Sequence, residues 1–172
     1  MRANRPRDGF EELREMAKSV RLVLIDVDGV LTDGSLWIGP EGEVFKRFDV
    51  KDGIGLNRLI KNGIEVILIT GRKSDIVKRR AEELGITEVY QGVKDKGALA
   101  RRLREEKGLS MSQVCAVGDD LPDLAMFKEA AIRVAVADAV KEVTEQADII
   151  LERKGGRGAI RELCDWLLNC CE

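Results

Sequence analysis

Short apolar runs alternate with amphipathic stretches along most of this chain of 172 residues. The runs at 22–27, 65–69, 88–90, 114–117, 133–136 and 148–151 are rich in Val, Ile and Leu and predict strands. Between them, residues 54–61, 74–84, 97–107, 121–130 and 139–145 repeat apolar positions at helical spacing, and 159–169 predicts a last helix. Glycine closes several of these helices, in Asn62-Gly63, Leu84-Gly85 and Lys107-Gly108. Apolar strands separated by short helices make βαβ units, so the fold class is α/β, a doubly wound parallel sheet covered on both faces. A further short helix is expected at 10–19, inside an N-terminal extension of residues 1–19 ahead of a main domain spanning 20–172.

One region breaks the alternation. Residues 34–49 hold two strand-like runs around Gly39-Pro40-Glu41-Gly42, the pattern of a β-hairpin directly after the first strand. Leu36, Trp37 and Ile38 on one arm and Val44, Phe45 and Phe48 on the other are a heavy apolar load for two strands. An isolated hairpin is marginally stable. This one is expected to bury its apolar surface against another subunit or the substrate channel, with packing on its own domain as the alternative.

Composition narrows the function. Hydrophobic residues make up 44% and charged residues 35%, enough for one domain's core and a solvated surface. Lys and Arg number 29 against 31 Asp and Glu, so there is no basic footprint for nucleic acid. The densest basic cluster, Lys78-Arg79-Arg80, runs straight into Glu82-Glu83 and reads as a solvated helix face. No apolar run approaches the roughly 20 residues a bilayer span requires, and residues 1–18 lack a hydrophobic signal core. The expectation is a cytoplasmic protein with neither nucleic-acid nor membrane partners. The chain has no histidine, which removes imidazole bases, phosphohistidine and mixed Cys/His zinc sites. Acid/base catalysis must come from carboxylates, lysine or tyrosine. Cys115 is expected in a core strand, Cys164 on the last helix, and the Cys170-Cys171 pair exposed and reduced.

The chemistry gathers where the predicted strands end. Residues two apart on a strand point to one side, so Asp26 and Asp28 face a common site, and Gly29 lets the backbone turn sharply behind them. Two carboxylates this close repel unless a cation or shared proton relieves them. That suits Mg²⁺ binding combined with a carboxylate nucleophile beside a carboxyl acid/base. The second strand ends in Thr70-Gly71-Arg72, ahead of the next helix, where a hydroxyl and backbone N–H groups can bind a phosphoryl oxygen and Arg72 an anionic group of the substrate. Taken singly, Thr70 would pass for a turn residue and Arg72 for solvated surface. Lys96 opens the helix at 97–107, where a cation opposes the helix dipole unless an anion sits nearby. Gly118-Asp119-Asp120-Leu121-Pro122-Asp123 follows an apolar strand; one aspartate there would be a helix cap, but three in five residues look like a cation site.

In this order Asp26/Asp28, Thr70, Lys96 and Asp119 with Asp123 resemble the four motifs of the haloacid dehalogenase superfamily of phosphotransferases, over residues 20–169. Residues 26–34, the hairpin, 48–53, 69–72, 90–92, 118–120 and 155–159 resemble more closely the 3-deoxy-D-manno-octulosonate (KDO) 8-phosphate phosphatases. That resemblance implies a Rossmann-like fold without a cap domain, bearing a hairpin flap, and a cytoplasmic Mg²⁺ enzyme of KDO and lipopolysaccharide biosynthesis. It implies a homotetramer assembled through the 34–49 hairpins, with neighbouring subunits helping to close each site. It also implies that Gly155-Gly156-Arg157-Gly158 approaches an active site, which gives Arg157 a role with an anionic substrate. In the implied reaction Asp26 attacks phosphorus, Asp28 is the acid/base, and Thr70 and Lys96 bind phosphoryl oxygens. Mg²⁺ would be held by Asp26, Asp119 and the Asp28 carbonyl, with Asp123 in the same acidic set. Arg72, Arg157 and Lys51 stand as alternatives for the carboxylate of a phosphorylated sugar acid. Other readings are a phosphatase of nonulosonate 9-phosphates, a phosphorylatable receiver domain and a catalytically silent oligomerisation module.

Overall fold

Three strands end together at the centre of the molecule, and that alignment creates the site. The computed structural model describes residues 1–3 and 7–171. β2 (Leu22–Ile25) pairs in parallel with β5 (Glu65–Thr70) on one side and β7 (Val114–Gly118) on the other. Ile25 lies opposite both Leu68 and Val117, so the residues that follow each strand emerge at one level. β6 (Glu88–Gln91) extends the sheet beyond β5, and β8 (Ile132–Ala135) and β9 (Ile149–Ile150) extend it beyond β7. All six strands are parallel. The chain moves outward from β2 in one direction and then in the other, which places a crevice at the carboxyl end of β2, where ligands collect in such sheets.

Alternating residues of the central strand divide the core in two. Val23 and Ile25 pack with α1 (Arg7–Lys18), α2 (Val50–Lys61), α3 (Asp75–Glu83) and α7 (Ala159–Cys171). Leu22 and Leu24 pack on the other face with α4 (Lys96–Glu106), α5 (Leu124–Phe127) and α6 (Lys141–Gln146). Both layers are fully buried, as a doubly wound sheet requires. Leu13 and Ala17 of α1 belong to this same core, and β1 (Arg2–Ala3) pairs antiparallel with β9 at the sheet's edge. No helix among the described residues is long and apolar enough to cross a membrane.

Every predicted strand and helix is present, and the differences in their bounds have local causes. α2 starts at Val50 rather than 54 because Asp49 caps it, accepting from the Lys51 amide at 2.8 Å. Its Gly53 and Gly55 look like helix breakers, yet a Cβ on Gly55 would lie 3.1 Å from Cys164 on α7. Close helix packing selects glycine there over helix propensity. The helix predicted at 121–130 is instead a 3₁₀ turn (Leu121–Asp123) followed by the short α5, because Asp120 and Asp123 form a reciprocal capping box. Cys115 and Cys164 are buried as expected, but the expectation for Cys170 is corrected. It shares a helical face with Leu163 and Leu167 and is buried, leaving Cys171 exposed.

The hairpin stands apart from the main sheet. β3 (Trp37–Gly39) and β4 (Gly42–Phe45) pair with each other, with Trp37 stacked on Phe45 at 4.7 Å. Its apolar side faces solvent, with Ile38 67% and Val44 59% exposed, so it does not pack on its own domain. Phe48 is an exception: it leans on the core beneath the Arg80 guanidinium.

The segment after β9 closes over the turn that follows β2. Gly156 donates to the Val30 carbonyl at 2.9 Å, and a Cβ on Gly155 would fall 1.7 Å from the Gly29 oxygen. Only glycine permits this approach. Buried Asp52 fastens the other end, accepting from the Arg161 amide at 2.7 Å in the first turn of α7. Burial pushes the Asp52 carboxyl up to about 6 despite that contact.

Candidate active site

β2 delivers Asp26, and the turn behind it delivers Asp28. The Asp26 amide donates to the Val117 carbonyl at 3.2 Å, which continues the β2–β7 ladder by one residue and fixes the carboxylate at the crevice. Gly29 has φ of 99°, and a Cβ there would strike the Asp119 carboxylate at 2.1 Å. The glycine therefore lets the first turn and the β7 loop approach each other.

Asp26, Asp119 and Asp123 each offer a carboxylate oxygen within 4.8 Å of the others. Lys96, at the start of α4, donates to Asp26 Oδ1 and to Asp123 Oδ1, the latter at 2.6 Å. The other oxygen of Asp123 accepts from the amides of Asp119 and Asp120, at 2.9 and 3.2 Å. Asp123 is thus fully engaged in fixing the β7 loop and Lys96. One ammonium does not balance three carboxylates. Burial, then Asp123, raises the Asp26 carboxyl well above its ordinary range, and Lys96 only partly offsets this. Asp119 is raised too, by burial and then by Asp26, Asp123 and Asp120. Burial works against the Lys96 charge, but Asp26 and Asp123 outweigh it and hold its pKa above the usual value. This all-oxygen set is short of positive charge and fits a hard divalent cation.

The Asp28 side chain turns away from that cluster. One oxygen accepts from Thr70 Oγ1 at 2.9 Å, and the other accepts from Lys46 Nζ. Thr70 Oγ1 in turn accepts from the Arg72 amide at 3.1 Å. Lys46 also lies 2.8 Å from Glu43, which accepts from Ser74 Oγ and sits 3.6 Å from Arg72. Lys46 and Glu43 were not found in the sequence, where they read as ordinary hairpin charges; only the strand's placement turns them inward.

The cavity above these groups holds about 330 Å³ and is lined by Asp26, Asp28, Thr70, Gly71, Arg72, Lys94, Lys96, Asp119 and Asp123 among others. Lys94 is exposed at its rim. Two sequence candidates lie elsewhere in this chain. Lys51 lines a different cavity of about 730 Å³, with Arg161 and Trp166, that contains none of the clustered aspartates. Arg157 pairs with Asp33 at 3.5 Å and does not line the Asp26 cavity. Size alone would favour the larger cavity; the convergent carboxylates, the buried lysine and the raised pKa values are in the smaller one.

Comparison with known proteins gives the same picture. Residues 81–163 match the haloacid dehalogenase-like hydrolase family. The 3-deoxy-D-manno-octulosonate 8-phosphate phosphatase KdsC of Escherichia coli K12 is 43% identical over 152 residues, covering 88% of this chain and 81% of that protein. The Yersinia pestis enzyme of the same name is 40% identical over 158 residues, covering 92% and 84%. A solved structure of the Moraxella catarrhalis phosphatase, in complex with magnesium, phosphate and KDO, superposes with a TM-score of 0.90 at 39% identity, covering 93% of this chain and 92% of that one. A hydrolase of haloacid dehalogenase subfamily III A from Legionella pneumophila gives a TM-score of 0.92 at 44% identity, covering 95% and 90%. By fold, by site geometry and by relationship, the chain belongs to the haloacid dehalogenase-like hydrolases and, within them, to the family of the 3-deoxy-D-manno-octulosonate 8-phosphate phosphatases.

Proposed function

We propose that the protein is a Mg²⁺-dependent phosphatase that hydrolyses 3-deoxy-D-manno-octulosonate 8-phosphate to KDO and phosphate. The observation that carries this reading is the buried Asp26–Lys96–Asp123 array beside Asp119, in a cavity open to a phosphoryl group. Asp26, Asp119 and the Asp28 carbonyl are the groups we assign to the metal; Asp123, with both oxygens engaged, contributes its charge and orients Lys96. When bound, Mg²⁺ supplies charge neutralisation at the phosphoryl oxygens, which lets a carboxylate approach a phosphate dianion.

The chain's own residues do the rest. Asp26 attacks phosphorus in line and becomes an aspartyl-phosphate, while Asp28 gives its proton to the departing sugar oxygen. Asp28 then takes a proton from the water that attacks the aspartyl-phosphate, as microscopic reversibility requires. Lys96, Thr70 and the Gly71 backbone hold the equatorial oxygens, where transition-state charge spreads. The Thr70 hydroxyl has one proton, now given to Asp28. Turning it toward a bound phosphoryl group releases that oxygen of Asp28 for proton transfer. Of the three candidates for the substrate's carboxylate, Arg72 is the one at this cavity, and we assign it that role; Arg157 and Lys51 would act only from a second copy.

The outward apolar face of the hairpin is covered, in this reading, by further copies of the chain in a homotetramer. A solution mass of four chains is its direct measure. The four unpaired cysteines accord with the reducing cytoplasm.

Hydrolysis of a panel of sugar phosphates tests the function. The eight-carbon keto-acid phosphate is expected to give the highest kcat/KM, ahead of a nine-carbon analogue, with hexose phosphates far behind and all turnover lost to a chelator. Preference for the nine-carbon acid would reassign the substrate, and turnover in chelator would remove the metal.

The raised carboxyls also predict a pH dependence. A group whose pKa is raised on folding binds more protons folded than unfolded, so the stability it lends is lost as pH rises through the folded value. Without metal, Asp26 and Asp119 therefore destabilise the protein as pH climbs from the ordinary carboxylate range toward neutrality. Mg²⁺ favours the ionised forms and must displace those protons. The rise in Tm on adding Mg²⁺ is expected to be larger at about pH 8 than at about pH 5.5. An equal rise at both would contradict the assignment.

A further inference from the structure

We propose that Lys46, carried into the cleft by the hairpin, is a positioning residue that holds Asp28 in the orientation its proton transfer requires. The inference rests on the acid/base reading of Asp28 given above. β4 and the residue after it are inverted for a surface ribbon: Val44 and Phe45 face outward, while Glu43 and Lys46 turn inward. The Lys46 side chain is 1% exposed and that of Glu43 13%. An ammonium withdrawn from water this far needs anionic partners, and it has two, Asp28 and Glu43. Glu43 is tied in turn to Ser74 and Arg72 on the loop between β5 and α3. A continuous polar chain therefore runs from the hairpin through Lys46 to Asp28 and on to Thr70.

Two donors on opposite oxygens fix both torsions of the Asp28 carboxylate. Once Thr70 turns to a phosphoryl group, Lys46 is the contact that keeps Asp28 aimed at the leaving oxygen. Lys46 is absent from the residues lining the Asp26 cavity, so it acts through Asp28 and not on the phosphoryl group. Misplacing a reacting group by about 1 Å lowers rates on the order of 10²-fold, which sets the scale of the effect.

The test compares Lys46→Met, Lys46→Arg and Glu43→Gln with the parent protein and with Asp28→Asn, in Mg²⁺. On KDO 8-phosphate, Lys46→Met is expected to lower kcat about 10–100-fold with KM changed less than about threefold, and Lys46→Arg to recover to within about tenfold of the parent. The burst of p-nitrophenol from p-nitrophenyl phosphate, a leaving group that needs no acid, is expected to keep its parental rate in Lys46→Met. Glu43→Gln keeps the lysine but frees it from the hairpin, so it is expected to show the same leaving-group signature with a smaller loss, even if Lys46→Met does not fold. An unchanged kcat in Lys46→Met, or a burst slowed as much as kcat on the sugar phosphate, would overturn the proposal. If Asp28→Asn shows the leaving-group signature and the Lys46 and Glu43 variants do not, this inference alone fails; if Asp28→Asn lacks it, the acid/base reading fails with it.

Discussion

Asp26→Asn is expected to abolish turnover, by roughly 10⁴–10⁶-fold in kcat, the range seen when a catalytic nucleophile is removed. An amide oxygen in the same place still accepts a hydrogen bond from Lys96 but cannot form an acyl-phosphate. The same substitution is expected to raise the melting temperature of the metal-free protein. Asp26 is buried beside Asp123 and near Asp119, and its raised carboxyl pKa means that the fold disfavours its charge. Removing that charge relieves the repulsion, while removing Lys96 would do the reverse. Activity and stability thus move in opposite directions at this position, as they do where a site is built under strain. Thermal unfolding and turnover measured on one preparation check both halves. Retained phosphatase activity would remove Asp26 as nucleophile, and a lowered melting temperature would contradict the electrostatic account.

Asp28→Asn is expected to lower kcat on the sugar phosphate about 10²–10⁴-fold, the usual contribution of a positioned general acid. Asparagine keeps the shape and can still meet Thr70, but it has no proton of useful acidity. The loss should therefore be largest for alkoxide leaving groups and smallest for the first half-reaction with an aryl phosphate. Phosphate binding should persist, because the donors we assign to the phosphoryl oxygens are Lys96, Thr70 and the Gly71 backbone N–H. Rates that fall equally for good and poor leaving groups would show that Asp28 serves the fold or the metal instead. The uncatalysed hydrolysis of a phosphate monoester is so slow that enzymes reach accelerations of roughly 10²¹, so no one group carries the barrier alone.

Much of this was legible in the sequence because it depends on local patterns. Apolar runs marked all six parallel strands, and Asp26, Thr70 and Asp119 were readable as strand ends before the register brought them level. What the sequence hid depends on distant neighbours. Lys46 and Glu43 look like any charged pair on a hairpin; their inward placement follows from which side of the ribbon faces the turn after β2 and the loop after β5. That Gly55 sits in α2 because α7 packs closely against it, with a Cβ there 3.1 Å from Cys164, is likewise not visible in the sequence. β1 is two residues long and has no periodicity to read; only pairing with β9 makes it a strand. Lys51 is close in sequence to the hairpin, yet α2 begins one residue earlier and carries it toward another cavity. The apolar hairpin was read as a surface in need of a partner, and it remains uncovered within one chain.

The account stands on a covalent bond between phosphorus and the side chain of Asp26. Protein mixed with KDO 8-phosphate and Mg²⁺, quenched in acid during the first turnovers and reduced with borohydride, converts an aspartyl-phosphate to homoserine. Mass mapping of the peptide containing Asp26 should find homoserine at that position and unmodified aspartate at Asp28, Asp119 and Asp123. Homoserine at any of those three with Asp26 unchanged would contradict the mechanism.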